Sequence, residues 1–376
     1  MNRVLRSIST LLISLIVALP LFAQAPTGSL TAWGNNVSST PIPVALPAGI
    51  SIERVAAGQS NTIAVATDGV TVYTWTGLGD GSSAATTPAP VTLSTTIYIQ
   101  CVTEVAAGDG HFLALANAAD LYAWGSNSAG QLGDGTTVSR MTPERVIFPP
   151  SVVSITHIAT GALHSLAFTN DGLYAWGHNS QGDLGDGTTE NRLLPVKVRL
   201  PASVTWISSL SGGFMDSFAV TNDGLYAWGY NFFGQLGDGS TVDKLTPVKI
   251  GFPNKTPFTT MWVVAAGRYH TLAVTDGGLF AWGQNINGTL GDGTRNNSSV
   301  PLKVKFPKTV SSVTAAAGGT FHSLAVTNGG LYAWGTDVAG QLGTITQKKI
   351  TPTKVTGEDN AGAVGAGEYF SVALHR

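Results

Sequence analysis

Hydrophobic and polar positions alternate with period two in short runs along most of the chain, and the runs come in pairs around polar turns. His164-Ser165-Leu166-Ala167-Phe168-Thr169 is followed by Asn170-Asp171-Gly172 and then by Leu173-Tyr174-Ala175-Trp176-Gly177. Alternation of this kind puts one face of each run on a core, which predicts strands. Asn, Asp and Gly tolerate the positive φ of a tight turn, so each pair predicts a β-hairpin. Thr275-Asp276-Gly277-Gly278 and Thr327-Asn328-Gly329-Gly330 repeat the device. Further strands are predicted at Pro195-Val196-Lys197-Val198, Pro247-Val248-Lys249-Ile250 and Pro301-Leu302-Lys303-Val304. A proline at entry and an alternating lysine suit an outer strand open to solvent.

The pattern recurs along the chain. Trp33, Trp75, Trp124, Trp176, Trp228, Trp282 and Trp334 lie 42 to 54 residues apart, and each but Trp75 is followed by Gly. A second marker keeps step with them: Val55-Ala56-Ala57-Gly58, Val105-Ala106-Ala107-Gly108, Ile158-Ala159-Thr160-Gly161, Leu210-Ser211-Gly212-Gly213, Val264-Ala265-Ala266-Gly267, Ala316-Ala317-Gly318-Gly319 and Val364-Gly365-Ala366-Gly367. About four short strands per unit, repeated seven times, describe an all-β fold, a seven-bladed β-propeller. Each blade packs mainly on its neighbours, so a long chain forms one domain without one large core. The chain finishes with the first half of a hairpin, Phe370-Ser371-Val372-Ala373-Leu374, and Ser29-Leu30-Thr31-Ala32-Trp33-Gly34 is a second half. These N- and C-terminal strands are expected to pair and close the ring.

Composition agrees. The 376 residues are 43% hydrophobic and 11% charged, with 46 Gly and 18 Pro, which suits many short strands and turns and lacks the glycine period of collagen. Residues 1–25 read as a cleaved signal peptide: Arg3 and Arg6, an apolar stretch from Ile8 to Phe22, then Ala23-Gln24-Ala25 as a small-x-small cleavage site. Ser9, Thr10, Ser14 and Pro20 interrupt the apolar run, which is shorter than the ~20 residues of a membrane span. Cleavage after Ala25 leaves 26–376 as the propeller, secreted, periplasmic or on the cell surface, with no stable membrane insertion. The formal charge is −2, and loss of Arg3 and Arg6 makes it more negative, so nucleic acid is not an expected partner. The single cysteine, Cys101, excludes a disulfide within the chain and any Cys-based zinc or iron–sulfur site.

The unit Leu173-Tyr174-Ala175-Trp176-Gly177-His178-Asn179-Ser180-Gln181-Gly182-Asp183-Leu184-Gly185-Asp186-Gly187, preceded by Ala-Gly-x-x-His-Ser-Leu-Ala, resembles the repeat of the regulator of chromosome condensation family. The resemblance covers essentially all of 29–376 and implies a seven-bladed propeller. Kelch and WD40 repeats fit less well, since Trp-Gly stands where Trp-Asp is expected. The units of Trp33 and Trp75 lack the Asn-x-x-Gly-Gln-Leu segment, and the last unit loses the Asp-Gly pair after Gly343. The family's best-known activity is nucleotide exchange on a small nuclear GTPase. The predicted export and the absence of a basic tail argue against it, and the secreted branch, which includes an exported bacterial inhibitor of β-lactamases that acts by binding them, is the better analogy.

Three sets of residues are candidates for chemistry. Asn61, His111, His164, Asp216, His270, His322 and Phe370 hold the last position of Gly-x-x-His, and ring symmetry is expected to bring them toward the shaft on innermost strands, where imidazoles could converge on a metal. Hydrogen bonding within and between blades explains them better, since Asn, Asp and Phe substitute for His. Asp80, Asp134, Asp186, Asp238 and Asp292 recur in Gly-Asp-Gly-Thr/Ser, where one carboxylate per loop suits an Asx-turn rather than calcium. Arg145, Lys197, Lys249, Lys303 and Lys354 form a partial basic ring that guards sheet edges. Sequons stand at Asn36, Asn254, Asn287, Asn296 and Asn297. No cofactor is expected, and His-Glu-x-x-His, Gly-x-Ser-x-Gly and phosphate-loop motifs are absent.

The variable pairs in Gly-x-x-His and in Trp-Gly-x-Asn-x-x-Gly are predicted to share one end of the ring. Read together they give Leu163, Phe214, Met215, Tyr230, Phe232, Phe233, Tyr269, Phe321 and Tyr369. Large apolar side chains at loop tips predict an interaction surface for a protein partner, with Arg268 and Glu368 as rim charges. The expected function is that of an exported, monomeric, non-catalytic protein-binding scaffold. The alternatives are an enzyme or glycan-binding propeller with a polar pocket at the shaft, and guanine-nucleotide exchange by family resemblance.

Overall fold

The computed structural model describes residues 28–34, 38–76, 88–253, 261–344 and 348–375. The expected leader and cleavage site, Asp80, and the sequons at Asn36 and Asn254 lie outside the described residues. Every regular element among the described residues is a strand, from β1 (Leu30–Gly34) and β2 (Ser38–Pro43) to β27 (Ala361–Ala366) and β28 (Phe370–His375). They form seven four-stranded antiparallel sheets. Six sheets use strands in chain order and are here blades 1 to 6. Blade 7 has the order β2-β1-β28-β27, so both ends of the described chain share one sheet.

The expected closure is present residue by residue: Leu30 faces Leu374, Ala32 faces Val372 and Gly34 faces Phe370. Leu30, Ala32, Phe370, Val372 and Leu374 are all buried, so the seam is part of the core. Such pairing removes the two sheet edges that an open array would expose.

Hairpin geometry follows from the turn residues. His164–Thr169 pairs with Gly172–Gly177, and Thr169 faces Gly172 across the turn. Gly172 takes φ +115°, which an L side chain rarely adopts. Thr169 Oγ1 donates to Gly172 O at 2.9 Å and accepts from Asp171 N at 3.0 Å. The Gly that follows each Trp has a different cause. A Cβ on Gly177 would stand 2.5 Å from the Leu163 carbonyl, so the close strand crossing admits no side chain.

The innermost strands carry the Ala-Gly marker: those of successive blades, such as Ile155–Thr160, Ile207–Gly212 and Met261–Ala266, run side by side around the shaft. Small side chains let seven strands crowd there. The hydrophobic core lies between blades. Leu113, Leu115 and Leu121 of blade 2 pack on Ala167, Tyr174 and Trp176 of blade 3, and the other junctions repeat this layer.

Four of the adjacent junctions are also tied by a loop that reaches forward, and a fifth reaches blade 7. Gln131 O, in the loop of blade 2, accepts from Trp176 Nε1 at 2.9 Å and from Ser165 Oγ at 2.8 Å in blade 3. Leu132 beside it is buried in the same layer as Trp176. Asn127 holds this latch in shape: its Oδ1 accepts from Leu132 N, and its Nδ2 donates to Asp134 Oδ1 and to the carbonyls of Thr136 and Val138. Asp134, Asp186, Asp238 and Asp292 accept the backbone N–H two residues on, which is the expected Asx-turn.

Candidate functional site

The Gly-x-x-His residues do not line the shaft. They start the second strand of each blade, one layer out from the Ala-Gly strands, and this corrects the expectation of innermost positions. Each imidazole points to the next blade: His111 Nε2 lies 3.1 Å from Ser165 Oγ, His164 Nε2 2.9 Å from Ser217 Oγ, His270 Nε2 2.8 Å from Ser323 Oγ and His322 Nε2 2.9 Å from Ser371 Oγ. Those hydroxyls donate to latch carbonyls, so the imidazoles donate through Nε2. The motif spacing has a steric reason, since a Cβ on Gly161 would sit 2.0 Å from His164 Cε1. Burial lowers the pKa of His111 and His270 to about 4 and of His164 and His322 to about 3, leaving them neutral.

Four of the five members of the basic ring are ion-paired. Arg145, Lys197, Lys249 and Lys354 end outer strands, as read from the sequence. Arg145 is paired with Asp120, and Lys197, Lys249 and Lys354 reach Asp171, Asp223 and Asp359 at 2.8, 2.7 and 2.5 Å. Asp120, Asp171 and Asp223 sit at the hairpin turns of the same blades, and Asp359 in the segment that leads to blade 7.

The opposite end carries the variable loops, and the two sets meet there as expected. Ser126 N, His178 N, Tyr230 N, Gln284 N and Thr336 N donate to the carbonyls of Gly110, Leu163, Met215, Tyr269 and Phe321 at 2.8–2.9 Å. This loop face is uneven around the ring. In blades 4 and 5 five aromatic rings form one chain of contacts: Phe214 to Tyr269 at 5.8 Å, Tyr269 to Phe233 at 5.1 Å, Phe233 to Phe232 at 5.1 Å and Phe233 to Tyr230 at 6.4 Å between centroids. Phe321 and Tyr369 form a second pair at 6.0 Å in blades 6 and 7. Leu163 and Met215 hold equivalent places in blades 3 and 4 and are half-buried.

Phe232 is 64% exposed, while the rings beneath it are half-buried. The same loop position in blades 5 and 6 holds Ile286 and Val338, 62% and 75% exposed. Blades 2 and 3 have Ser128 and Ser180 there. An arc of exposed apolar residues therefore runs over three consecutive blades with the aromatic cluster at one end. Ile286 and Val338 escape a search for aromatic tips, but alignment on Trp-Gly-x-Asn/Asp puts them in register with Phe232.

Arg268 joins the cluster to the shaft mouth. Its guanidinium carbon lies 4.3 Å from the Phe214 centroid and 5.4 Å from that of Tyr269. Its Nη1 donates to Gln59 Oε1 of blade 1 at 3.1 Å, and the Glu368 carboxylate of blade 7 is 3.9 Å away. Arg268 is therefore a strut across the mouth rather than a rim charge. The mouth itself is a cavity of about 70 Å³ lined by the glycines of the seven blades with Gln59, Asp109, Arg268 and Thr320. Burial raises the pKa of Asp109 against the pull of Arg268.

The family model described as RCC1-like domain matches residues 22–373, nearly the whole described propeller. The chain belongs to the RCC1-like domain family. It is 34% identical over 322 residues to the ultraviolet-B receptor UVR8 of Arabidopsis thaliana, covering 82% of this chain and 71% of that protein. It is 32% identical to the E3 ubiquitin-protein ligase HERC2 of Mus musculus over 70% of this chain but only 6% of that far longer protein. Among solved structures, Prp20p of Saccharomyces cerevisiae superposes with a TM-score of 0.75 at 25% identity, covering 92% of this chain and 91% of that one. Human WBSCR16 gives 0.78 at 23% identity over 93% and 100% of the two chains, which shows the shared fold. Among the described residues no helix is long and apolar enough to cross a membrane.

Proposed function

We propose that this RCC1-like propeller is a protein-binding scaffold that docks its partner on the loop face of blades 4 to 6, outside the cytoplasm if the leader is used as read. One observation carries the reading: Phe232, Ile286 and Val338 are exposed at one loop position in three consecutive blades, and Phe232 is backed by four touching rings. Exposed apolar side chains repeated on one face of a rigid frame suit a partner anchored by buried side chains. One solved relative supports a binding role: Prp20p, the yeast RCC1, is described with its binding to Gsp1p and histones and in a complex with Kap60. Exchange activity and ligase activity stay with those proteins.

The test is affinity capture from the native extracytoplasmic fraction with the wild-type protein and with Phe232→Asp/Ile286→Asp. A protein retained by the wild type and lost with the double variant supports the reading. Equal retention by both refutes the face assignment.

A further inference from the structure

Among the described residues, five blade junctions are fastened alike. The carbonyls of Gln131, Asp183, Gln235, Thr289 and Gln341 each accept an indole N–H and a hydroxyl from the next blade. The residue at the carbonyl varies. The next is always leucine, Leu132, Leu184, Leu236, Leu290 and Leu342, all buried, and then glycine. The glycine is obligatory, since a Cβ on Gly133 would stand 2.8 Å from Trp176 Nε1.

The junction of blade 7 with blade 1 keeps the donors and lacks the acceptor. Thr62 and Trp75 are register partners in blade 1, as Thr271 and Trp282 are in blade 5. Thr271 Oγ1 and Trp282 Nε1 share Gln235 O at 2.8 and 2.7 Å. Thr62 Oγ1 and Trp75 Nε1 are sealed from solvent and have no hydrogen-bond partner among the described residues, and the same is true of both polar atoms of Asn61 beside them. Chain length explains the difference. Three residues, 35–37, join β1 to β2, whereas fourteen, 178–191, join the equivalent strands of blade 3, so blade 7 has no room for Asn-x-x-Gly-Gln-Leu.

At the junction of blades 1 and 2 the loop of blade 1, which carries Gly77-Leu78-Gly79, lies outside the described residues. In blade 2, Phe112 replaces the hydroxyl and stacks on Trp124 at 5.4 Å. Blade 1 keeps beside its indole the hydroxyl that blade 2 has replaced, and a buried donor is favourable only when an acceptor reaches it.

We propose that the junction of blades 7 and 1 is a second binding site, distinct from the aromatic face, which takes an extended segment of a partner protein with the sequence x-Leu-Gly. The main-chain carbonyl of x accepts from Thr62 and Trp75, the leucine enters the layer beside Trp75, and glycine passes the indole. The five latches within the ring are the template for this chemistry. Both donors are closed off in the free protein, so the segment enters by parting a seam that carries no latch of its own.

The probe is the synthetic peptide Asn-Ser-Ala-Gly-Gln-Leu-Gly-Asp, the sequence of residues 127–134. The readout is the indole N–H resonance of Trp75 in the full chain, assigned by its loss in Trp75→Phe. Titration to millimolar peptide should move it saturably toward the positions of the hydrogen-bonded indoles. A peptide with Leu132→Ala should bind at least tenfold more weakly, and Thr62→Val/Trp75→Phe, folded by circular dichroism, should lose binding. The Phe232→Asp/Ile286→Asp protein should bind the peptide normally, which separates this site from the aromatic face. An unmoved resonance, equal binding of the alanine peptide, or undiminished binding by Thr62→Val/Trp75→Phe would overturn the proposal.

Discussion

Trp33 and Ser371, from opposite ends of the chain, are register partners in blade 7 and donate to the same carbonyl, that of Gln341 in blade 6, each at 2.9 Å. This bond set fastens both ends of the chain to the preceding blade at once. Trp33→Phe should lose about 1 kcal/mol with the indole bond, and Trp33→Ala about 3–5 kcal/mol because a fully buried ring leaves a cavity. Urea unfolding measures both, and an alanine variant as stable as the phenylalanine one would deny the seam its part in closing the ring.

Acid should loosen the blade junctions together. His111, His164, His270 and His322 have folded pKa values of about 3 to 4 against about 6.5 when unfolded. The unfolded chain therefore binds more protons between those limits. Stability from the four imidazoles is complete above the unfolded value and falls as pH drops through 6 toward 4. Each contributes on the order of 1–2 kcal/mol of loss by pH 5. His270→Asn, a type that blade 1 carries at Asn61, should flatten the dependence of the urea midpoint on pH by roughly a quarter of this imidazole contribution. An unchanged slope would mean that His270 titrates normally.

Blade 6 offers a test of opposite sign. Its latch has Asp337 where the others have Asn127, Asn179, Asn231 and Asn285, and it lacks the Asp-Gly pair that those asparagines bond. The two departures belong together, since a carboxylate has no N–H to donate and would repel a second carboxylate. Asp337 Oδ1 still accepts from Leu342 N at 2.7 Å, and burial raises its pKa to about 6. Its neutral form favours the fold, so this contribution is present below about pH 4 and lost as pH rises through 6. Asp337→Asn should stabilise the protein by on the order of 1 kcal/mol at pH 8 and leave it unchanged at pH 4. Equal effects at both pH values would place the carboxylate in water.

Strand periodicity and the seven tryptophans made the blades and the closure legible, because both depend on contacts within one sheet. Contacts between sheets were not legible. Nothing in the sequence around Gln131-Leu132 shows that the ring sets Trp176 against its carbonyl, and His164 reads as a shaft residue until Ser217 of the next blade is seen to take its Nε2. Lys197 reads as an edge guard, yet Asp171 meets it only through pairing of the outer strand with the hairpin. In the candidate face the aromatic tips were found from their size, and the aliphatic continuation at Ile286 and Val338 required alignment of loop positions.

The face itself calls for substitutions chosen by exposure. Tyr269 packs between Phe214 and Phe233 and lies under the Arg268 guanidinium, so Tyr269→Asp removes support from the whole cluster and should cost about 1–3 kcal/mol of stability. Phe232 is mostly in solvent, and Phe232→Asp should alter the unfolding midpoint by no more than about 0.5 kcal/mol. Loss of capture in Phe232→Asp at unchanged stability would therefore report a lost contact, whereas loss in Tyr269→Asp alone would report a collapsed support. Arg268→Lys distinguishes the strut from a simple charge: it keeps the cation near Glu368 but loses the planar stacking on Phe214 and the directed bond to Gln59. If the strut positions the rings, Arg268→Lys weakens capture while Phe232 remains in place. Full capture by Arg268→Lys, measured beside Phe232→Asp in the same titration, would show that the rings hold their positions without it.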